Sequence, residues 1–261
     1  MSAATAPLQL PDARWIAPVW PVPAAVQALI TTRAGGVSSG PWGGPAGGGL
    51  NLGTGSDDPA AVRANRERLR ACLPAEPRWL EQVHGTAVVD AAAAAPGVRA
   101  DAAYAVQPGV VCCVLAADCL PVLLADAAGR GVAAAHAGWR GLAGGVIQNA
   151  VTALRAALGD PEAEVLAYLG PAIGPEHFVV GAEVLEAMRE RLPAAREAFA
   201  VHEHGKYRAD LFALARQALA QQSVVRVFGG GVCTYSDAAR FYSYRRASPT
   251  GRQAALIWRK G

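Results

Sequence analysis

Lysine is almost missing. Lys206 and Lys260 are the only two, so arginine carries nearly all the positive charge. Lys+Arg 24 against Asp+Glu 21 leaves a net charge of +3, too little to mark a dedicated nucleic-acid or membrane-surface binder. Cysteine is scarce: five, an odd number, with no C-x-x-C, which excludes a disulfide scaffold and points to reduced thiols in the cytoplasm. No run approaches ~18 strongly apolar residues, so no membrane span is expected. Met1–Trp20 lacks a basic start followed by an apolar stretch, so it does not read as a signal peptide. Charged residues make up only 17% and hydrophobic ones 52%, which excludes a disordered chain and suits a globular one.

No repeat and no linker divides the chain. It reads as one domain over residues 1–261, with residues 1–25 an extended, proline-rich entry segment. The glycine-rich stretch Gly35–Gly55 reads as a surface loop, its GGPAGGG part a flexible insertion. Asp57 and Asp58 before Pro59 predict an acidic N-cap and a helix start. Further helices are expected at Val146–Leu158, Ala182–Leu192 and Leu211–Gln221, the last capped by Asp210. Strands are expected at Val88–Val89, Val110–Leu115, Pro121–Ala125, Gly131–Ala135, Val165–Leu169, Val224–Phe228 and Ala254–Trp258. Strands and helices do not alternate strictly, which favours an α+β fold with mixed sheets over a doubly wound one.

Chemistry concentrates between Val110 and Gly145. One apolar run ends at Asp118-Cys119, a second begins at Pro121, and a third ends at His136. If Ala127-Ala128 is a two-residue hairpin loop, Cys119 and His136 lie directly opposite, with Cβ atoms ~4.5–5.5 Å apart. A three-residue loop would put them on opposite faces. Upstream, His84 precedes Gly85, which permits close approach. His84, Cys119 and His136 are suitable zinc ligands, and three protein ligands leave a position open to water, the catalytic pattern. Spacing alone leaves a core cysteine and structural histidines as the plainer alternative. Cys112-Cys113 read as core, His202-x-His204 as solvent-exposed, and Arg240–Arg246 as structural or substrate-facing.

Several segments resemble the YfiH-like family, variously called multicopper polyphenol oxidase (laccase) proteins and purine nucleoside phosphorylases. They are TTRAGGVS (Thr31–Ser38), NLG…DDP (Asn51–Pro59), QVHG (Gln82–Gly85) and AD (Ala100-Asp101). AADC (Ala116–Cys119), HAGWRG (His136–Gly141), GPAIGPEHF (Gly170–Phe178) and KYRADL (Lys206–Leu211) follow, and CTY…RFYSYRR…TGRQ (Cys233–Gln253) closes the set. The resemblance implies mixed sheets layered between helices in an α/β/β/α-type sandwich, and a zinc ion on His84, Cys119 and His136. It implies phosphorolysis of adenosine, inosine and methylthioadenosine, and deamination of adenosine. Copper-dependent oxidation of phenols has also been ascribed to the family, and some members resemble peptidoglycan-precursor editing factors. Five histidines are few for several coppers, which makes a laccase role secondary. The segment Trp42–Gly49 is richer in glycine than the family pattern.

Phosphorolysis needs an anion site. Arg33, and Arg140 where a helix begins, are candidates, with loop-tying contacts as the alternative. Gln82 and Asn51 are candidate substrate contacts. Asp118 is one too, although a strand residue adjacent to Cys119 is expected to face away from it. The expected partners are a purine nucleoside and phosphate, with no nucleic acid and no membrane. Two other classes remain open: a hydrolase with Cys119 as nucleophile, and a non-catalytic module clipped by zinc.

Overall fold

Strands buried on both faces, whose side chains alternate in direction, and single apolar stripes on the helices sort the side chains into layers. The computed structural model describes residues 12, 14–44 and 47–261. In chain order the elements are β1 (Val26–Ile30), β2 (Ala34–Ser38), α1 (Pro59–Arg70), β3 (Val88–Asp90), β4 (Ala102–Ala105), β5 (Cys112–Ala116) and β6 (Leu120–Asp126). They continue with β7 (Val132–Ala137), α2 (Trp139–Gly144), α3 (Val146–Leu158), β8 (Val165–Leu169), β9 (Val179–Val180) and α4 (Ala182–Arg189). The last are β10 (Phe199–Val201), β11 (Tyr207–Ala209), α5 (Leu211–Ala220), β12 (Arg226–Gly229) and β13 (Gln253–Arg259).

A mixed six-stranded sheet runs β12-β8-β6-β7-β4-β3. Its outer pairs, β12 with β8 and β3 with β4, are parallel, and the inner pairs are antiparallel. A three-stranded antiparallel sheet, β1-β13-β5, lies over it. Leu120, Val122 and Leu124 of β6 face helices α3, α4 and α5, while Leu123 and Ala125 face Ile30, Val114 and Ile257 of the smaller sheet. The far side of that sheet, with Leu29, Cys113 and Leu256, packs on Leu69 of α1. The order of layers is therefore helices, six-stranded sheet, three-stranded sheet, helix, the α+β sandwich expected. Adjacent strand residues Cys112 and Cys113 fill the two different cores, and burial pushes both thiols up.

Asp58 caps α1 by accepting from Ala60 N at 2.9 Å, and Asp210 caps α5 through Phe212 N and Ala213 N. Two expectations need correction. The Gly35–Gly55 stretch is not all loop, since β2 lies inside it. Its glycines permit backbone contact: a Cβ on Gly36 would lie 2.1 Å from Gly49 O, and one on Gly49 would lie 1.8 Å from Trp42 O. Pro45 and Ala46 of the expected insertion, and most of the N-terminal segment before Arg14, lie outside the described residues.

The second correction is the hairpin register. Asp126 N donates to Gly131 O at 3.0 Å, and Asp126 accepts from Arg130 through its side chain, so the loop is Ala127–Arg130. Pro121, not Cys119, lies opposite His136. The four-residue loop shifts the pairing by two. Cys119 and His136 become diagonal neighbours on the same face, still within mutual reach. The His136 N–H points to β4, where Asp101 O accepts it at 2.7 Å, so proline at 121 removes no donor from this pairing.

Candidate metal centre and cavity

The chain turns at both ligand loops through left-handed backbone. His84 has φ 59° and Asp118 has φ 97°, positions that need support when occupied by a side chain. A buried carboxylate supports the first. Asp101 accepts from His84 N at 2.9 Å through Oδ1, and from Gly85 N at 2.7 Å and Val83 N at 3.1 Å through Oδ2. Three successive N–H groups thus wrap one anion. The second turn is held by Thr234 Oγ1, which donates to Asp118 Oδ1 at 2.7 Å, and by Arg245 N, which donates to Oδ2 at 2.7 Å.

His136 extends the β4–β7 ladder, and its Nδ1 lies 2.8 Å from Asp101 Oδ1. That bond directs Nδ1–H to the carboxylate and leaves Nε2 as a ligand. Asp101 is the residue of this cluster that the sequence does not single out beyond its Ala-Asp motif. Cys119 Sγ lies 3.8 Å from His84 Nε2. Donor atoms of His84, Cys119 and His136 lie within 4.8 Å of one another, a group placed so that it could hold a metal ion. Gly138 faces this cluster; a Cβ there would sit 2.9 Å from both Cys119 Sγ and His84 Cδ2.

Electrostatics favours a thiolate. Burial raises the Cys119 thiol, but His136 charge and hydrogen bonds with both imidazoles outweigh it and bring the pKa down to about 6. Burial opposes charge on His136, yet Cys119 and Asp101 lift it to about 9. Asp101 would be raised by burial, but His136 and the backbone donors hold it below the usual carboxylate range.

The donor set fits a borderline-soft cation. Tetrahedral zinc with thiolate and imidazole bonds places sulfur and nitrogen roughly 3.5 Å apart, close to the spacing seen. The cluster opens into a cavity of about 590 Å³. Leu80, Leu115, Ile173 and Phe178 give it apolar walls, and Gln82, Asp118, Arg245 and Arg252 bring polar groups.

The remaining sequence candidates separate. Gln82 lines the cavity, but its amide is engaged with Leu115: Nε2 donates to O at 2.8 Å and Oε1 accepts from N at 2.7 Å. Asp118 lines it with both oxygens occupied as described. Asn51 lies outside the lining and ties Gly53, Asp57 and Arg252 together. Arg33 is also outside, its guanidinium donating to the carbonyls of Gly43 and Ala238. Arg140 projects from α2, exposed, 4.3 Å over the Trp139 ring. The polypeptide therefore supplies loop-tying carbonyl partners for Arg33, the alternative reading given above.

A family model described as multi-copper polyphenol oxidoreductase laccase matches residues 27–260. A Pseudomonas aeruginosa protein named purine nucleoside phosphorylase is 50% identical over 246 residues, 94% of this chain and 98% of the relative. The Escherichia coli purine nucleoside phosphorylase YfiH is 48% identical over 247 residues, 93% of this chain and 98% of its own. The crystal structure of a Neisseria meningitidis protein of the DUF152 family superposes with a TM-score of 0.87 at 48% identity, covering 95% of this chain and 100% of that one. YlmD from Geobacillus stearothermophilus gives a TM-score of 0.82 at 30% identity over 91% of this chain and 93% of its own. With the layered fold, the matched length and the identities in agreement, the chain belongs to the multi-copper polyphenol oxidoreductase laccase family, the YfiH/DUF152 group.

Proposed function

We propose that the chain is a zinc-dependent purine nucleoside phosphorylase, cleaving adenosine, inosine and methylthioadenosine with phosphate, and deaminating adenosine in the same cavity. The observation that carries this is the convergence of His84, Cys119 and His136 on one edge of an apolar-walled cavity of about 590 Å³. The names of relatives about half identical over nearly their full length support the reaction class. Two imidazoles and one thiolate suit zinc and leave one position open. A zinc bound there would supply Lewis acidity. The chain's part is to orient and to exclude water. Asp101 fixes His136 and the His84 turn, the apolar walls receive a planar base, and Gln82 and Asp118 shape the polar side. Five free cysteines support a reducing, cytoplasmic setting.

Copper on the same three donors would support phenol oxidation, but a multicopper centre needs several such groups. Only this one stands among the described residues. The test is metal analysis paired with phosphate-dependent release of free base. One zinc per chain, with release lost in Cys119→Ala, is the expected result. Zinc binding without nucleoside cleavage or deamination would remove the proposal and leave a precursor-editing hydrolase to be assayed.

The lowered Cys119 thiol, with His84 Nε2 3.8 Å from its sulfur, favours one second reading, a hydrolase using that sulfur as nucleophile and a protonated His136 as the acid for the leaving group. Chelator-treated enzyme that stays active, and loses activity on alkylation of Cys119, would establish it instead.

A further inference from the structure

Two arginines line the cavity that holds the His84, Cys119 and His136 cluster, Arg245 and Arg252. Neither belongs to an ion pair among the described residues: the salt bridges there involve Arg14, Arg99, Arg130, Arg189, Arg208, Arg226 and Arg240. Each is anchored from behind. Arg245 N donates to Asp118 Oδ2 at 2.7 Å, Nη1 donates to Val179 O at 2.9 Å, and the group lies 5.4 Å over the Phe178 ring. Arg252 N donates to Asn51 Oδ1 at 2.9 Å, and Nη1 donates to the carbonyls of Thr250 and Gly251 at 3.0 Å. The side chain rests against Gly53, where a Cβ would lie 2.7 Å from Arg252 Cγ. Each fork therefore keeps donors, Nε and Nη2, that no partner within the described residues takes. No ion pair joins the cavity's carboxylates to them among the described residues. Asp118 has both oxygens engaged, and Glu81 faces Arg99 at 3.7 Å.

We infer that Arg245 and Arg252 form the oxyanion subsite of this cavity, binding a phosphate-type anion beside the ligand cluster. This rests on the phosphorylase reading only for the source of the anion. The planar fork matches two oxygens of a tetrahedral oxyanion, and a pre-anchored guanidinium loses little freedom on binding. Asp118 and Asn51 then act as positioning residues: one holds the backbone of Arg245 beside Cys119, and the other holds the backbone of Arg252. This gives structural work to two motif residues whose polar atoms are taken up within the protein.

The anion is either free inorganic phosphate or a phosphoryl group carried by the substrate. Titration calorimetry of the metal-loaded protein separates these, using inorganic phosphate, adenosine and adenosine 5′-monophosphate. Wild type is compared with Arg245→Gln, Arg252→Gln and the charge-keeping Arg252→Lys, with metal content checking that each variant keeps the site. For free phosphate, binding weakens at least tenfold in both glutamine variants and partly in the lysine variant, while adenosine binding is unchanged. For a substrate-borne group, the monophosphate binds more tightly than adenosine and that gain disappears in the variants, whether or not nucleosides are cleaved. If folded, metal-loaded variants bind both anions as wild type does, the inference is overturned. If wild type binds phosphate through these arginines yet cleaves no nucleoside, the subsite stands and the phosphorylase reading falls.

Discussion

Asp101 organises both histidines of the candidate metal site at once, holding one by its backbone and the other by its ring. It is fully buried, so its charge is stable only because four donors satisfy it. Asp101→Asn keeps the shape but removes the charge, and one amide edge can no longer accept. Metal affinity is expected to fall roughly 10–100-fold, as measured by competition with a chromogenic chelator. An unchanged affinity would show that the histidines are placed by packing alone. Gly138 gives a second test from the other side of the cluster. Gly138→Ala directs a methyl group at Cys119 Sγ and the His84 ring, both 2.9 Å away. Metal occupancy should drop in that variant while the melting transition stays cooperative. At this scale the members of the His84, Cys119 and His136 cluster were legible by chemical type, since thiols and imidazoles are few. Asp101 was not, because a carboxylate's value here comes from three backbone N–H groups that converge only after folding.

The β6–β7 hairpin sets the distance between Cys119 and His136, and the hairpin depends on Asp126. That carboxylate is 1% exposed and accepts from Arg130 through N, Nε and Nη2 at 3.0, 3.0 and 2.8 Å. Burial would raise its pKa, but Arg130 and the backbone donors hold it below the usual range. The sign follows from linkage: the stabilisation is fully present above the ordinary carboxylate pKa and fades as pH falls through the lower folded value. Asp126→Asn should therefore unfold at lower denaturant than wild type at neutral pH. The gap should narrow in acid; a constant gap would mean the turn is held by its backbone bonds. Helices were read well because caps and 3.6-residue stripes are local. The start at Pro59, the span Val146–Leu158 and the Asp210 cap all agree with the structure. Strands β2 and β4 were missed because AGGVS and AAYA carry small residues, without the branched or aromatic signal of a strand. The hairpin register failed by two because a side chain closing a four-residue loop leaves no turn signature of the two-residue kind.

Across the whole molecule, the three residues of the candidate metal site come from the loop before β3, the residue before β6 and the end of β7, while the cores lie elsewhere. Leu123 and Leu124 point into separate cores on the two faces of the large sheet, and α1 closes a third. None of these clusters includes His84, Cys119 or His136. A structural zinc domain folds because its metal replaces a core, and it unfolds when the metal leaves. Here the burial that drives folding is complete without the ion, and β6–β7 is paired along its length. Chelation is expected to leave the far-ultraviolet circular dichroism unchanged and to lower the melting temperature by the mass-action term alone. That term is about 2.7 kcal/mol when free metal had stood at a hundred times its dissociation constant. Returning metal should restore the original transition. Collapse of the circular dichroism signal on chelation would contradict this and make the ion a clip, because only a cation essential to the packing of the layers could unfold them by leaving.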